Sequence, residues 1–476
     1  MKLDQLAHAV GCTGVMSDME ITGLCTDSRR AKAGDLFFCY RGQKFDSHSC
    51  VVQLKEAGVA ALVCERKLDC DLPQIVVADG RAAVAKAARI FYGEADRVLK
   101  LVAVTGTNGK TTTTYMLDSI FRAAGKKCGI IGTLGITYGG RFIAPELTTP
   151  DPVYLHSVLR DMADCGVEYV FMEVSAHALY FDKVAGLKFE AGIFTNCTQD
   201  HLDFFQDMSS YAVCKKKLFE GGRCRRSVIN IDDAVGREIA RFAPSPMTYG
   251  LNNPADVFAV DVEESIEGVK FILNLCDELY EVELHVPAVH NAYNAMAAAT
   301  CAKLLGVNIE TIAKGLAALK SVPGRLERVG CFNGAHIFVD FAHTPDGLEK
   351  SLSSLKKLCR GRLYCLFGCG GNRDKTKRPL MGAVAAKYAD FCIITSDNPR
   401  YEDPYDIIRE IEDGVRPSGK SYVTVTDRET ATEYALNLLK EGDVLLVAGK
   451  GGENYQEIMG IKHSYNDNTV IKNIIG

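Results

Sequence analysis

Short, unbroken apolar runs alternate with longer stretches of helical period along most of the chain. In the first hundred residues the runs fall at 34–39 (a Gly34-Asp35 turn entering a strand), 59–64 and 74–77, and residues 81–92 (RAAVAKAARIFY) carry apolar positions at helical spacing. A second series begins with a strand at 101–104, a glycine turn and the helix TTTTYMLDSIFRAAG, with Gly125 as its C-cap. Strands follow at 169–173, 191–195 and 227–230, then a more polar β segment at about 256–287 and the helix NAYNAMAAATCAKLLG. After a linker at Ser321-Val322-Pro323-Gly324, apolar runs resume at 336–340, 363–367, 391–395 and 444–448. Runs that stay apolar at every position, separated by helices, are the mark of strands covered on both faces. They predict an α/β protein with mainly parallel sheets. The breaks near residues 97 and 323 divide the chain into an N-terminal α/β domain (1–97), a central domain with a parallel sheet (98–323) and a C-terminal, Rossmann-like domain (324–476).

Composition narrows the class. A length of 476 residues suits about three domains, and 47% hydrophobic with 24% charged residues is ordinary for a globular protein. A net charge of −5 argues against nucleic acid or an anionic membrane as the main partner. The start, MKLDQLAHAVG, lacks the apolar core of a signal peptide, and no apolar stretch approaches the ~20 residues of a membrane span. A cytoplasmic location is therefore expected. The 18 cysteines form no C-x-x-C pair, which disfavours a zinc or thioredoxin-type site. Buried, reduced thiols are the expectation, with Cys369 in the Gly368-Cys369-Gly370-Gly371 turn as the one candidate reactive thiol.

The strongest motif is Thr105-Gly106-Thr107-Asn108-Gly109-Lys110-Thr111-Thr112, between a strand and a helix. Glycines let backbone N–H groups approach phosphate oxygens, and the helix N-terminus adds positive partial charge. Lys110 suits the β- and γ-phosphates, and the Thr111 hydroxyl suits Mg²⁺. Val104 stands where the full P-loop pattern has a glycine, so the loop is a shortened version.

Together with Glu173-Val174-Ser175-Ala176-His177, Asn196 through Asp200-His201-Leu202-Asp203, His290-Asn291-Ala292-Tyr293-Asn294, Val322 through Glu327 and Asp340-Phe341-Ala342-His343-Thr344-Pro345, this motif resembles the Mur ligase family over nearly the whole chain. The resemblance implies ATP and Mg²⁺. It implies phosphate-loop contacts from Gly106 to Thr112, an adenine contact at Asn291, a phosphate contact at Arg325 and a ribose contact at Asp340. It implies metal ligation by Thr111, Glu173, His201 and Lys215, the last carrying a carbamate made from CO₂. Lys110, Lys215, His201 and Arg325 are its implied catalytic residues.

Within the family the likeness is to the tripeptide synthetases. Thr26-Asp27-Ser28-Arg29 and Arg41 through Asp46 resemble their UDP-binding segment, with Thr26, Ser28, Gln43, Lys44 and Phe45 as implied contacts. Leu147, Thr148, Thr149, Ser175 and Lys183 fall where that group holds the muramoyl peptide, although Leu147 replaces a polar residue. Arg373, Asp397-Asn398-Pro399-Arg400, Gly449 and Glu453 match its acceptor site, although Gly452 replaces a common histidine. The resemblance thus implies a monomeric enzyme that adds meso-diaminopimelate to UDP-N-acetylmuramoyl-L-alanyl-D-glutamate. Guanidinium binds carboxylates two-pronged, so Arg400 is expected to select the acceptor's second carboxylate; a lysine acceptor is expected to leave that guanidinium unpaired. Folylpolyglutamate synthetase is the rival enzyme. A dinucleotide oxidoreductase lacks support because the third glycine of G-x-G-x-x-G is missing after Gly370. A non-catalytic nucleotide switch is the third reading.

Overall fold

The computed structural model describes residues 1–13, 17–42 and 45–476, with Asp203 described by its backbone alone. Its chain forms two compact units: Met1–Thr105 with Lys126–Gly192 and Cys214–Ser227, and Gly106–Gly125 with Ile193–Val213 and Val228–Gly476.

In the first unit, β1 (Gly23–Cys25), β2 (Asp35–Phe38), β3 (Ala61–Cys64) and β4 (Gln74–Val76) form an all-parallel sheet in chain order. Its side chains divide by turns. Leu36, Phe38, Ala61, Val63 and Ile75 pack with the helices Leu3–Ala9 and Gly80–Phe91, whereas Phe37, Cys39, Leu62 and Cys64 pack with Leu54 on the other face. In the central strands β2 and β3 both faces are dry, which is why they read as continuous apolar runs. The same unit contains β5 (Lys100–Thr105), β6 (Cys128–Gly132), β7 (Gly135–Tyr138), β8 (Arg141–Ile143) and β9 (Tyr169–Glu173). β9 lies between β5 and β6, parallel to both, and β7 and β8 extend the β6 edge as an antiparallel hairpin.

β10 (Ala191–Phe194) and β11 (Ser227–Asn230) carry the chain between segments of the two units. In the second unit β12 (Pro246–Gly250) runs parallel to β13 (Val257–Ser265), which continues as a meander through β14 (Gly268–Leu275) and β15 (Glu278–Leu284). This is the polar β segment expected at 256–287; its alternating burial marks one solvated face. The helix Lys110–Ala123 packs on Ile309–Ala318, where Ser119 Oγ donates to the Gly315 carbonyl at 2.6 Å. Only glycine allows that approach, since a Cβ at 315 would lie 2.4 Å from Ile120 Cα.

The second sheet of this unit comprises β16 (Glu327–Phe332), β17 (Ala335–Asp340), β18 (Leu363–Phe367), β19 (Phe391–Ile394), β20 (Tyr422–Thr424) and β21 (Val444–Ala448), in the order β16-β17-β21-β18-β19-β20. All neighbours are parallel except the edge strand β16. β22 (Tyr455–Ile458) and β23 (Ile461–Ser464) form a separate hairpin.

No helix among the described residues is long and apolar enough to cross a membrane. All 18 cysteines are free, and eleven of them are buried. Cys369 corrects an expectation: it is 3% exposed, its Sγ lies 3.7 Å from Met381 Sδ, and burial pushes its thiol up to about 12. A thiol that keeps its proton is a poor nucleophile, so this turn supplies packing and not reactivity.

Candidate active site

The glycine loop is built by its neighbours in the second unit. After β5 the chain turns at Gly106 (φ 149°) and Gly109 (φ 87°) into the helix starting at Lys110. A Cβ at Gly106 would meet Thr195 Oγ1 at 1.8 Å, and one at Gly109 would meet Asn294 Oδ1 at 2.3 Å. The segment 195–198 holds the loop open: Thr107 N donates to the Asn196 carbonyl at 2.8 Å, and Asn108 N to Asn196 Oδ1 at 2.9 Å. Thr195 Oγ1 donates to the Asn108 carbonyl at 2.6 Å, and Thr107 Oγ1 to that of Thr198 at 3.1 Å. Thr111 and Thr112 are buried, whereas Lys110 is half-buried and lays its ammonium over the loop, 2.9 Å from the Gly106 carbonyl and 2.8 Å from that of Thr107. Backbone donors fixed around a helix N-terminus, with an ammonium above them, form a cradle that fits a polyphosphate.

The implied nucleotide contacts of the second unit gather near this loop. Arg325 Nη2 donates to Thr111 Oγ1 at 2.9 Å, and the guanidinium lies 4.4 Å from the Phe341 ring centroid. Asn294 Nδ2 donates to Asn291 Oδ1 at 2.9 Å, while Asn291 Nδ2 donates to the Pro287 carbonyl at 2.6 Å. Asp340 is buried and accepts from Leu326 N, Ala342 N and Ser351 Oγ, so it holds the turn that carries Arg325. Burial raises the Asp340 carboxyl against the pull of Arg325 and those N–H groups. Asp346 links this segment to the loop, accepting from Asn108 Nδ2 at 2.7 Å and Thr198 Oγ1 at 3.1 Å. His201 is in the left-handed region (φ 55°), with Nε2 3.3 Å from Asp200 Oδ2. Burial would raise the Asp200 carboxyl, but the charges of His201, His343, Lys377 and Lys110 outweigh it and hold the carboxyl below its usual value.

In the first unit Glu173 ends β9 at 1% exposure and accepts from Thr133 N at 2.9 Å and Thr133 Oγ1 at 3.0 Å. Gly132 gives it room, since a Cβ there would lie 2.3 Å from Glu173 Oε1. Around it come together Thr148, whose hydroxyl is 3.1 Å from that of Thr133, and Thr149, whose hydroxyl donates to the Glu173 carbonyl at 2.9 Å and accepts from Ser175 N at 3.1 Å. Ser175 also caps the helix Ala176–Tyr180, and Lys183 pairs with Asp151 at 2.7 Å. Leu147 is 47% exposed and Phe45 59% exposed. Lys215 is 1% exposed, in a residue type almost never fully buried unless paired. Thr26 and Ser28 flank Asp27, which accepts from Arg29 through both backbone and guanidinium, so the Arg29 side-chain bond holds the Asp27 carboxyl down at about 2. Gln43 and Lys44 lie outside the described residues. Arg81, which the sequence reading did not single out, stacks 4.8 Å from the Tyr40 ring and 4.6 Å from that of Phe181.

The implied acceptor residues sit at the C-terminal ends of β18, β19 and β21, where open α/β sheets bind ligands. Asp397, Asn398 and Pro399 are buried; Gly449 (φ 109°) follows β21 so closely that a Cβ would lie 2.7 Å from Asp397 Oδ2. Arg373 is exposed and Gly370 lies beside it, since a Cβ at 370 would meet Arg400 Nη1 at 2.9 Å and Arg373 Cγ at 3.8 Å. Arg378, fully buried, holds this loop through the Gly370 carbonyl and pairs with Glu402 and Glu410. Arg400 adopts φ 54°, unusual for a side-chain-bearing residue, because its backbone bonds Glu457 and Met459 of the 455–464 hairpin. Its Nε lies 3.1 Å from Glu457 Oε2, and its Nη1 donates to the Gly371 carbonyl at 2.9 Å. The expectation that a lysine acceptor leaves this guanidinium unpaired is therefore corrected: Glu457 supplies a carboxylate from the chain itself. The hairpin gave no warning of this in sequence, because its strands are polar.

Comparison with known proteins identifies the family. Family models match at residues 20–99 (Mur ligase family, catalytic domain), 104–302 (Mur ligase middle domain) and 324–451 (Mur ligase, glutamate ligase domain). A UDP-N-acetylmuramoyl-L-alanyl-D-glutamate–2,6-diaminopimelate ligase of Geobacillus thermodenitrificans is 41% identical over 461 residues, 95% of this chain and 94% of its own. The protein of that name from Geobacillus kaustophilus is 42% identical with the same coverage. A solved structure of a ligase of that name superimposes with a TM-score of 0.72 at 31% identity, covering 100% of this chain and 99% of its own. With family models on three successive segments and relatives this similar over nearly its full length, the chain belongs to the Mur ligase family.

Proposed function

We infer that this chain is an ATP-dependent ligase that joins meso-diaminopimelate to UDP-N-acetylmuramoyl-L-alanyl-D-glutamate, releasing ADP and phosphate, in peptidoglycan precursor synthesis. The observation that carries this reading is the 41% identity, end to end, to a ligase named for that reaction. The pre-built cradle around Lys110 and the Arg400 cluster support it. Residues 1–97 are assigned to the UDP-substrate, 98–323 to ATP and 324–476 to the acceptor, in a cytoplasmic monomer.

The γ-carboxylate of the D-glutamyl residue attacks the γ-phosphorus of ATP, and ADP leaves. The acceptor's neutral amine then attacks the acyl phosphate, expels phosphate and loses a proton. Negative charge spreads over phosphoryl oxygens in the first step. Lys110 and the helix N-terminus at 109–111 sit where they oppose it, and Arg325, held by Thr111 and Phe341, adds a second fixed charge. Arg325 reaches the loop from the 322–326 turn, which Asp340 fixes. Divalent magnesium, when bound, neutralises phosphate oxygens as a Lewis acid. The Thr111 hydroxyl, the Glu173 carboxylate and, as a carbamate, Lys215 are the oxygen donors we assign to it, which suit this hard cation, with His201 as a nitrogen donor. Thr26, Ser28, Gln43, Lys44, Phe45, Leu147, Thr148, Thr149, Ser175 and Lys183 are assigned to the UDP-peptide.

The test is isotopic. Oxygen-18 placed in the substrate γ-carboxylate is expected in the released phosphate, and phosphate release is expected only with both peptide and amino acid present. AMP as product, with no label in phosphate, would point to an adenylating enzyme instead.

Arg400 is expected to set the acceptor. Charge-assisted binding of the distal carboxylate contributes about 1.5–3 kcal/mol, roughly a 10- to 150-fold preference over lysine. Because Glu457 pairs with the guanidinium, the preference should rest on attraction alone and lie toward the lower end of that range. Arg400→Ala should raise KM for diaminopimelate about tenfold or more and leave KM for ATP unchanged. Comparison of kcat/KM for diaminopimelate and lysine decides the matter; a variant that keeps the wild-type preference removes Arg400 from the role.

A further inference from the structure

We propose that Lys450 is a positioning residue of the acceptor pocket, acting through Asn398 and Glu453 and not by touching substrate. The proposal rests on the acceptor assignment above. Lys450 follows Gly449 at the end of β21 and is 0% exposed. Its ammonium donates to Asn398 Oδ1 at 3.0 Å and Glu453 Oε2 at 2.9 Å, and it lies 5.6 Å from the centroid of the Tyr455 ring.

A lysine so buried is costly unless its charge is matched, and here the match is made by two residues assigned to the acceptor. The arrangement closes on itself. Asn398 Nδ2 donates to the same Glu453 oxygen at 3.0 Å, and Glu457 N donates to Asn398 Oδ1 at 2.9 Å. Asn398 Oδ1 thereby accepts twice, which fixes the orientation of its amide and leaves one N–H for a ligand. Glu453 keeps Oε1 for an incoming ammonium while Oε2 is anchored. Gln456 Nε2 adds a bond to the Asp397 carbonyl at 2.7 Å, so the 397–400 turn is clamped before any acceptor arrives. Preorganisation of this kind lowers the cost of binding one substrate and leaves the others untouched.

Without the ammonium, Glu453 Oε2 keeps only the Asn398 Nδ2 bond and Asn398 Oδ1 only that from Glu457 N, so the carboxylate and the amide are each held by one contact where they had two. Lys450→Met is expected to raise KM for the acceptor by about tenfold or more, with KM for ATP and for the UDP-peptide within about twofold of wild type and kcat changed less than the acceptor KM. A general loss of structure would move all three constants together. The double variant Lys450→Met/Glu453→Gln should fall short of the sum of the two single effects, because Lys450 acts in part through the carboxylate that Glu453→Gln removes. Should Lys450→Met fail to fold, Lys450→Gln, one atom shorter and uncharged, keeps N–H donors in the buried site, and the same split is read from it. The assay uses whichever amino acid supports phosphate release by the wild type. If that is not diaminopimelate, the acceptor assignment fails while the role of Lys450 is still measured. Equal changes in all three KM values, or additive effects of Lys450 and Glu453 substitutions, would overturn the proposal.

Discussion

Lys110→Ala is expected to lower kcat by about a thousandfold or more while the protein folds normally. The Lys110 ammonium lies 2.9 and 2.8 Å from two carbonyls of its own loop, so its charge is fixed before phosphate arrives. A fixed charge aimed at developing negative charge is worth several kcal/mol, because no reorganisation is needed at the moment of reaction. Its structural share is smaller. The residue is half-buried at the first position of a helix, where alanine is well tolerated, and the two lost hydrogen bonds amount to about 1 kcal/mol each. Lys110→Arg keeps the charge but spreads it over a fork, and should restore activity only in part. Phosphate release with both substrates, measured beside thermal unfolding, tests the assignment. Near-normal release by folded Lys110→Ala would remove Lys110 from the chemistry.

What the sequence made legible depends on how local each feature is. The phosphate loop is one contiguous segment, and its two glycines are required by neighbours that a Cβ would strike, so its composition announces its conformation. The buried parallel strands are legible for a similar reason: with both faces covered, every position of 36–38 or 444–448 is apolar. The short strands β7 and β8 and the β22–β23 hairpin escape notice because they are short or polar and take their place from the sheet edge or the turn they serve. Buried charges escape for a different reason. Arg428 is matched by Asp467, 39 residues away and not visible from its surroundings; Lys450 has its carboxylate three residues on, at Glu453, but its second partner, Asn398, lies 52 residues away. Arg428 shows what such a pair does, since it also donates to the Ala448 carbonyl at 2.9 Å, just before Gly449. The acceptor cluster, gathered from 370–373, 397–400 and 449–457, was legible only through its likeness to a family. The structure adds the hairpin carboxylate, Glu457, that alters how Arg400 should discriminate.

Lys215 carries the second large effect. Lys215→Ala is expected to lose activity by about a thousandfold, with partial recovery when formate, acetate or propionate is added. Carbamate formation joins the neutral lysine amine to CO₂ and releases a proton, which turns a cationic donor into an anionic acceptor with two oxygens. That is the conversion a hard divalent cation rewards. Lys215 lies on the helix Met208–Lys216 and is 1% exposed, whereas Lys216, next to it, is only half-buried. The three consecutive lysines at 215–217 therefore do not form one solvated face; the first is turned inward. A short carboxylate can stand in for the missing oxygens only if they act as acceptors, so rescue separates this role from a lysine that acts by its positive charge. Lys215→Arg, which keeps the charge and cannot add CO₂, should remain as inactive as the alanine variant and should not respond to acetate. Depletion of CO₂ from the buffer should slow the wild type, and added bicarbonate should restore it. Full activity of the wild type without CO₂, or an active Lys215→Arg variant, would show that the ammonium itself is what the site uses.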